Sequence, residues 1–262
     1  MADCVSSARR TGVFKEFHVL TDSPIEGCEC YDAQTIEKTG HLFKLIYLKA
    51  AISKLLFDYF IWIDADTWFV RNTKNVLDCL GKSPIHVPLT SNLSQLHEEK
   101  PLKGISTRQY VSLMAKAGVL GPIYFSGSSF WILHHDAIDR VCELAQYFRA
   151  IAAKDCLQMD VSAALGYAMQ MLCADPDSHR ATKWPDLWAS DDQDFFNGGS
   201  PVNSVWPIKD SLTGETTLAS PCIIHLPHRK TFARGEPSPM ALEGNPVNVE
   251  RLEGRNHAMA DS

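Results

Sequence analysis

The sequence predicts an α/β fold, a mixed and mostly parallel sheet flanked by helices. Three observations predict it. Helical and strand-like periodicities alternate along the first half of the chain, an order that builds sheets with parallel members. The bulky run ending Tyr59-Phe60-Ile61-Trp62-Ile63 reads as a strand buried on both faces. Two aspartates, Asp64 and Asp66, follow at once at its carboxyl end, where open α/β sheets place their ligands.

Each element has a local reason. Ala2 to Arg10 is helix-compatible and is closed by Thr11-Gly12. Glu16 to Thr21 alternates like a strand and ends in the turn Asp22-Ser23-Pro24, after which Glu26 to Glu37 reads as a loop. His41 to Leu56 carries Leu42, Leu45, Ile46, Leu48, Ile52, Leu55 and Leu56 at helical spacing. Asp58 to Ile63 is the strand that breaks at Asp64-Ala65-Asp66. Val76 to Leu80 reads as a short helix and Ile85 to Leu89 as a short strand. Thr90 to Gly104 is loop-like, Thr107 to Ala117 helical, and Ile123 to Leu133 a strand approached through small residues. Asp136 to Ala152 shows an apolar stripe of Ile138, Val141, Leu144, Ala145 and Phe148, and a second helix spans about Asp160 to Cys173. Asp175 to Gly199 is polar with interleaved tryptophan and phenylalanine, and Cys222 to His225 is strand-like. The order implies one domain over 1–233 and a loosely held tail over 234–262, where Gly235, Pro237, Pro239, Gly244 and Pro246 accumulate.

Composition narrows the function classes. With 262 residues the chain can bury a sizeable core without disulfides or a structural metal. Hydrophobic residues at 45% and charged residues at 21% argue against disorder. Twenty-five basic against 31 acidic residues leave a net charge of −6, which argues against a nucleic-acid partner. No apolar stretch approaches the roughly 20 residues of a transmembrane segment, and no apolar region follows Met1 as in a signal peptide. The chain therefore reads as soluble and cytoplasmic. Its eight cysteines include no C-x-x-C pair and read as reduced, mostly buried thiols.

Asp64 and Asp66 are the most informative residues. Two carboxylates one residue apart suit a hard divalent ion, Mn²⁺ or Mg²⁺, that takes oxygen ligands and bridges to a diphosphate. The plainer alternative makes Asp64 a turn cap and Asp66 a solvated charge. The hydrophobic strand feeding into the pair favours the metal.

Phe43-Lys44-Leu45 through Asp58-Tyr59-Phe60-Ile61-Trp62-Ile63-Asp64-Ala65-Asp66-Thr67 resembles the nucleotide-sugar-dependent glycosyltransferases of GT-A fold, in particular enzymes like those of glycosyltransferase family 8. Three further segments follow the same order. Phe125-Ser126-Gly127-Ser128-Ser129-Phe130-Trp131 resembles the strand lining the donor-sugar and acceptor pocket. Asp160-Val161-Ser162-Ala163-Ala164-Leu165 resembles the acidic residue opening a helix beside the acceptor, and Ile224-His225 with Lys230 resembles the late His and Lys of metal-dependent members. Members of the family begin with a strand that contacts the nucleobase; this chain opens on the helix after it, so that first strand is expected to be lacking.

The resemblance implies a donor and metal half over 1–90 and an acceptor half over 91–233. Asp64, Asp66 and His225 would form the metal shell, with His228 as an alternative to His225. Donor contacts would come from Lys44, Asp64, Ser126, Gly127, Arg229 and Lys230, and catalytic carboxylates from Asp160, Asp191 and Asp192. Trp184 and Trp188 would stack the acceptor sugar. Plainer roles stand beside these: Lys44 on a solvated helix face, Arg229 and Lys230 as surface charge, Asp160 as a helix N-cap, and the tryptophans as pins of a surface loop. The expected reaction is metal-dependent transfer of a sugar from a UDP- or GDP-linked donor to the hydroxyl of a carbohydrate or other acceptor, with retention favoured. Two alternatives are a non-catalytic nucleotide-sugar-binding relic and a phosphatase of the haloacid dehalogenase type. The phosphatase places its D-x-D near the chain start with Thr or Val two residues after the second Asp, where this chain has Trp68.

Overall fold

A computed structural model describes residues 1–21, 23–32, 44–45, 49, 57–71, 73, 76–102, 105–157, 159–190, 206–209, 214 and 216–225. Within them helices and small sheets mix, some strand pairs parallel. Helix α1 (Ala2–Arg10) carries Asp3 in its first turn and Arg9 and Arg10 in its last, matching the helix dipole. Its buried face, with Cys4, Val5, Ser7 and Ala8, lies on a later strand, where Ser7 Oγ accepts the Phe69 N–H at 3.0 Å. Strand β1 (His18–Thr21) pairs in parallel with β2 (Glu29–Asp32), inside the segment expected to be a loop. Four residues between turn-forming neighbours are too short a run for periodicity to register, so the pairing partner decides it.

Most of the helix expected over His41–Leu56 lies outside the described residues; Lys44, Leu45 and Lys49 within it are helical. Next come β3 (Tyr59–Ile63) and β4 (Thr67–Phe69), joined by the turn that holds Asp64 and Asp66. They belong to different sheets. β3 pairs antiparallel with β8 (Phe130–His134), which also takes β5 (Ile85–His86) antiparallel on its other side. β4 pairs antiparallel with β12 (Ile223–His225), which takes β9 (Trp188–Ser190) in parallel. Two small hairpins, β6 (Pro101–Leu102) with β7 (Ile105–Ser106) and β10 (Trp206–Lys209) with β11 (Thr216–Ala219), complete the described strands. Of these seven pairings five are antiparallel and two parallel.

The strand expected to be buried on both faces is β8 rather than β3. Phe130 to Leu133 are all buried, whereas Tyr59 is exposed and Phe60 to Ile63 are half-buried. Among the described strands β8 is central in its three-stranded sheet and β3 lies at its edge. The expected strands Ile85–Leu89 and Ile123–Leu133 are each shorter than their apolar runs. Pro88 has no N–H for a ladder, and Leu89 N–H donates to the His179 carbonyl at 3.0 Å. Side chains satisfy the backbone of the second run: Gln170 Oε1 accepts Tyr124 N–H at 2.9 Å, Gln170 Nε2 donates to Tyr124 O at 3.0 Å, and Thr90 Oγ1 accepts Phe125 N–H at 2.9 Å.

Three helices complete the frame. α2 (Thr107–Lys116) begins with a capping box in which Ser106 and Gln109 satisfy each other's backbone N–H groups. α3 (Ile138–Lys154) buries Ile138, Val141, Leu144, Ala145 and Phe148, the stripe its sequence shows. α4 (Val161–Leu172) is buried at every position from Val161 to Gln170, as suits a helix with no polar face. Gly166 lets it approach the 124–126 segment: a Cβ there would lie 3.1 Å from Ser126 Oγ and 3.3 Å from Tyr110 Oη. One continuous apolar core runs from Ala8 to Ile223. A smaller one, Trp68, Ala189, Ala219 and Ile224, lies on the other face of the β4-β12-β9 sheet.

All eight cysteines are free of disulfides. Among the described residues no helix is long and apolar enough to cross a membrane.

Candidate metal centre

The two three-stranded sheets converge at the turn between β3 and β4. Asp64 ends the β3 side, its N–H donating to Ser129 O at 2.9 Å and its own carbonyl accepting Thr67 N–H at 3.1 Å. Asp66 leads into β4. Antiparallel pairing sets His225 opposite Thr67, and parallel pairing sets it beside Ser190. Side chains directly across a ladder share a face, so Thr67, His225 and Ser190 project together.

Asp64, Asp66 and His225 each offer one ligand atom, and these atoms lie within 4.8 Å of one another. An octahedral ion with ligands at about 2.1 Å separates its cis donors by about 3 Å and its trans donors by about 4.2 Å. The trio thus has the spacing and the donor chemistry, two carboxylates and an imidazole, to hold a divalent cation. Asp64 and Asp66 are half-buried and His225 is buried, so one side of the site faces the core and the other is reachable. His225 Nε2 stands 3.3 Å from Asp66 Oδ1. Its Nδ1 stands 2.9 Å from Ser190 Oγ, and the Trp188 ring stacks against its imidazole at 6.5 Å and 17°. Among the described residues the buried Thr67 Oγ1 has no hydrogen-bond partner.

Asp64 is held on one oxygen. Lys44 Nζ donates to Asp64 Oδ1 at 2.5 Å and Trp62 Nε1 donates to the same atom at 3.0 Å. Trp62 is fixed in turn by stacking on Trp131 at 5.6 Å, and the Lys44 ammonium lies 5.5 Å from the Trp62 ring centre. Lys44 also reaches Ser128 O at 3.4 Å. The helix carrying Lys44 is therefore tied to the turn by one cation. Cys4 lies behind the turn, its Sγ 3.9 Å from Asp64 O. Burial, with the charges of Asp66 and Asp64 adding to it, pushes the Cys4 thiol up to about 12, which keeps it protonated at neutral pH.

The other residues singled out by sequence are distributed around this centre. Ser126 is fully buried and donates to the Ser162 carbonyl on α4, and Gly127 N–H donates to Pro88 O at 3.2 Å. The small-residue segment reaches the site through the carbonyls of Ser128 and Ser129. Asp160 is the N-cap of α4, its Oδ1 accepting Ala163 N–H at 2.9 Å. Trp184 is half-buried with Nε1 donating to Ser178 O at 2.8 Å. Trp188 sits on β9, buried, as the wall behind His225 rather than on an open loop. Asp191, Asp192, His228, Arg229, Lys230 and the tail over 234–262 lie outside the described residues.

Sequence reading missed Trp62 and Ser190. Trp62 was legible: it lies two residues before Asp64, and alternate residues of a strand share a face. Ser190 had no local signal, because the pairing of β9 with β12 spans 35 residues. Comparison of the chain with family models, with curated proteins and with solved structures finds no match.

Proposed function

We propose that the chain is a metal-dependent glycosyltransferase of GT-A type, moving a sugar from a nucleoside-diphosphate donor to an acceptor hydroxyl with retention. The observation that carries this reading is the meeting of Asp64, Asp66 and His225, from two different sheets, at the carboxyl end of β3 with a cationic side chain already on one of the carboxylates. A bound Mn²⁺ or Mg²⁺ would supply charge neutralisation for a departing diphosphate. Asp66 and His225 Nε2 would hold it, together with the Asp64 oxygen that Lys44 and Trp62 leave free. Lys44 adds a positive charge beside the phosphates that is already oriented before the donor arrives. The resemblance supplies the donor class and the stereochemistry; the site supplies the cation-binding chemistry and the flanking lysine.

Thermal shift with UDP, GDP, CDP and dTDP, each with and without Mn²⁺, tests it on wild type and Asp66→Ala. A ligand at 100 times its Kd stabilises by about 2.7 kcal/mol. Stabilisation by one nucleotide only with Mn²⁺, lost in Asp66→Ala, is the expected result, followed by sugar release from the matching nucleotide sugar. No response to any nucleotide overturns the reading.

A further inference from the structure

Two independent constraints fix Thr67 at the metal centre. Along the chain it closes the turn that begins at Asp64, its N–H donating to Asp64 O at 3.1 Å. Both carboxylates and Thr67 therefore belong to one turn, whose ends lie within about 7 Å of each other. Across the sheet, antiparallel pairing sets Thr67 directly opposite His225, which brings their Cβ atoms to about 4.5–5.5 Å on one face. The β9 flank of the His225 ring is taken, since Nδ1 stands 2.9 Å from Ser190 Oγ. Thr67 approaches from β4, the flank on which Asp66 Oδ1 stands 3.3 Å from Nε2.

At this position the chain carries a hydroxyl that is 0% exposed and, among the described residues, has no hydrogen-bond partner. An enclosed hydroxyl without a partner lowers stability, and valine has the same shape and an equal preference for strands. Packing of β4 alone thus gives no reason for the oxygen. An uncharged oxygen is a fit donor for a hard divalent cation. An ion–oxygen bond of about 2.1 Å is also shorter than a hydrogen bond of about 2.8 Å, so an ion approaches an enclosed hydroxyl more closely than water can.

We propose that Thr67 Oγ1 is a further ligand to the divalent cation of Asp64, Asp66 and His225. This rests on the metal centre of the reading above and not on sugar transfer. The oxygen gives a lone pair to the ion and keeps its proton, so its coordination needs no acid or base. The same hydroxyl weakens the metal-free fold and strengthens the hold on the ion, two effects of opposite sign from one atom.

The full chain at neutral pH gives the test. Mn²⁺ affinity is read from the electron paramagnetic resonance of the free ion, and the thermal midpoint is read separately in excess chelator. Thr67→Val should raise the metal-free midpoint while losing Mn²⁺ affinity by at least the ~10-fold that removal of an outer-shell partner gives. Thr67→Ser should restore the affinity. Thr67→Cys, a softer donor, should shift preference from Mn²⁺ toward Cd²⁺ by about tenfold or more, with thiolate-to-cadmium ultraviolet absorption above that of wild type. Wild-type Mn²⁺ affinity in Thr67→Val, or an unchanged metal preference in Thr67→Cys, overturns the proposal while leaving the metal centre standing. Failure of the wild type itself to bind Mn²⁺ overturns the metal centre and the proposal with it. Should Thr67→Val not fold, the metal preference of Thr67→Cys decides.

Discussion

Lys44 and Asp64 have side chains only 13% and 29% exposed, and the ammonium lies on the carboxylate at 2.5 Å. At that depth an extra positive charge has two opposed consequences for the site. It repels a bare cation arriving at Asp64, Asp66 and His225, and it attracts the phosphates that would accompany that cation. Lys44→Met should therefore bind Mn²⁺ alone about tenfold more tightly, the scale of one nearby like charge removed, yet lose the enhancement by nucleoside diphosphate. Titration calorimetry with Mn²⁺, with UDP and with both checks it. Weaker binding of Mn²⁺ alone would mean that Lys44 acts by ordering Asp64 rather than by its charge. The residue scale was also the most legible in sequence. Asp64 and Asp66 stood out because their chemistry and their place after a hydrophobic run agree, and Trp62 could have been read from its two-residue spacing.

At the scale of elements, α4 is the reference part of the frame. It has no solvated face from Val161 to Gln170, and two of its residues set how closely the 124–126 segment approaches. Gln170 replaces a missing strand partner by bonding both backbone groups of Tyr124, and its Nε2 also reaches Gly166 O at 2.7 Å. Gln170→Leu would leave the buried Tyr124 N–H unpaired, at about 1–3 kcal/mol, while Tyr110 Oη still donates to Tyr124 O, and urea unfolding should show a loss of that order. Gly166→Val overfills the contact with Ser126 and Tyr110 and should destabilise by about 1–3 kcal/mol. An unchanged midpoint in either variant would refute the close approach. Helix positions α1 to α4 were readable because a 3.6-residue period sustained over nine or more residues is a strong signal. Strands β2, β4 and β9 were not, since three or four residues carry too little pattern and form only where a partner strand supplies the hydrogen bonds.

The whole molecule carries a pH dependence located away from the metal centre. His86 on β5 and His179 in the 3-10 turn at Pro176–His179 meet Nδ1 to Nδ1 at 2.7 Å, both buried. One neutral ring must donate and the other accept, so a second proton has no place. Burial, with the neighbouring imidazole adding, holds His86 well below the usual histidine range, and burial brings His179 down to about 4. The unfolded chain, with histidines near 6.5, takes up protons first. Stability is therefore full above about pH 6.5 and falls as the pH drops toward 4. Urea midpoints at pH 7.5, 5.5 and 4.5 should record this fall, and His179→Asn, which keeps a hydrogen-bond partner for His86, should shrink it. Equal falls in both proteins would place the acid sensitivity elsewhere.

Local sequence determined what depends on neighbours along the chain: a mixed α/β composition of elements, four described helices, the apolar strand before the aspartates, and Asp160 at a helix start. Hydrophobic period and capping chemistry are local properties, so they survive without a structure. Tertiary structure decided what depends on partners far apart: that the aspartate turn joins two different sheets, that β8 and not β3 is the interior strand, and that Trp188 backs His225. It also brought Ser190 to the second nitrogen of that histidine. The physical reason is that strand pairing fixes register between segments tens to more than a hundred residues apart. A ligand shell is read only when that register sets its side chains on one face.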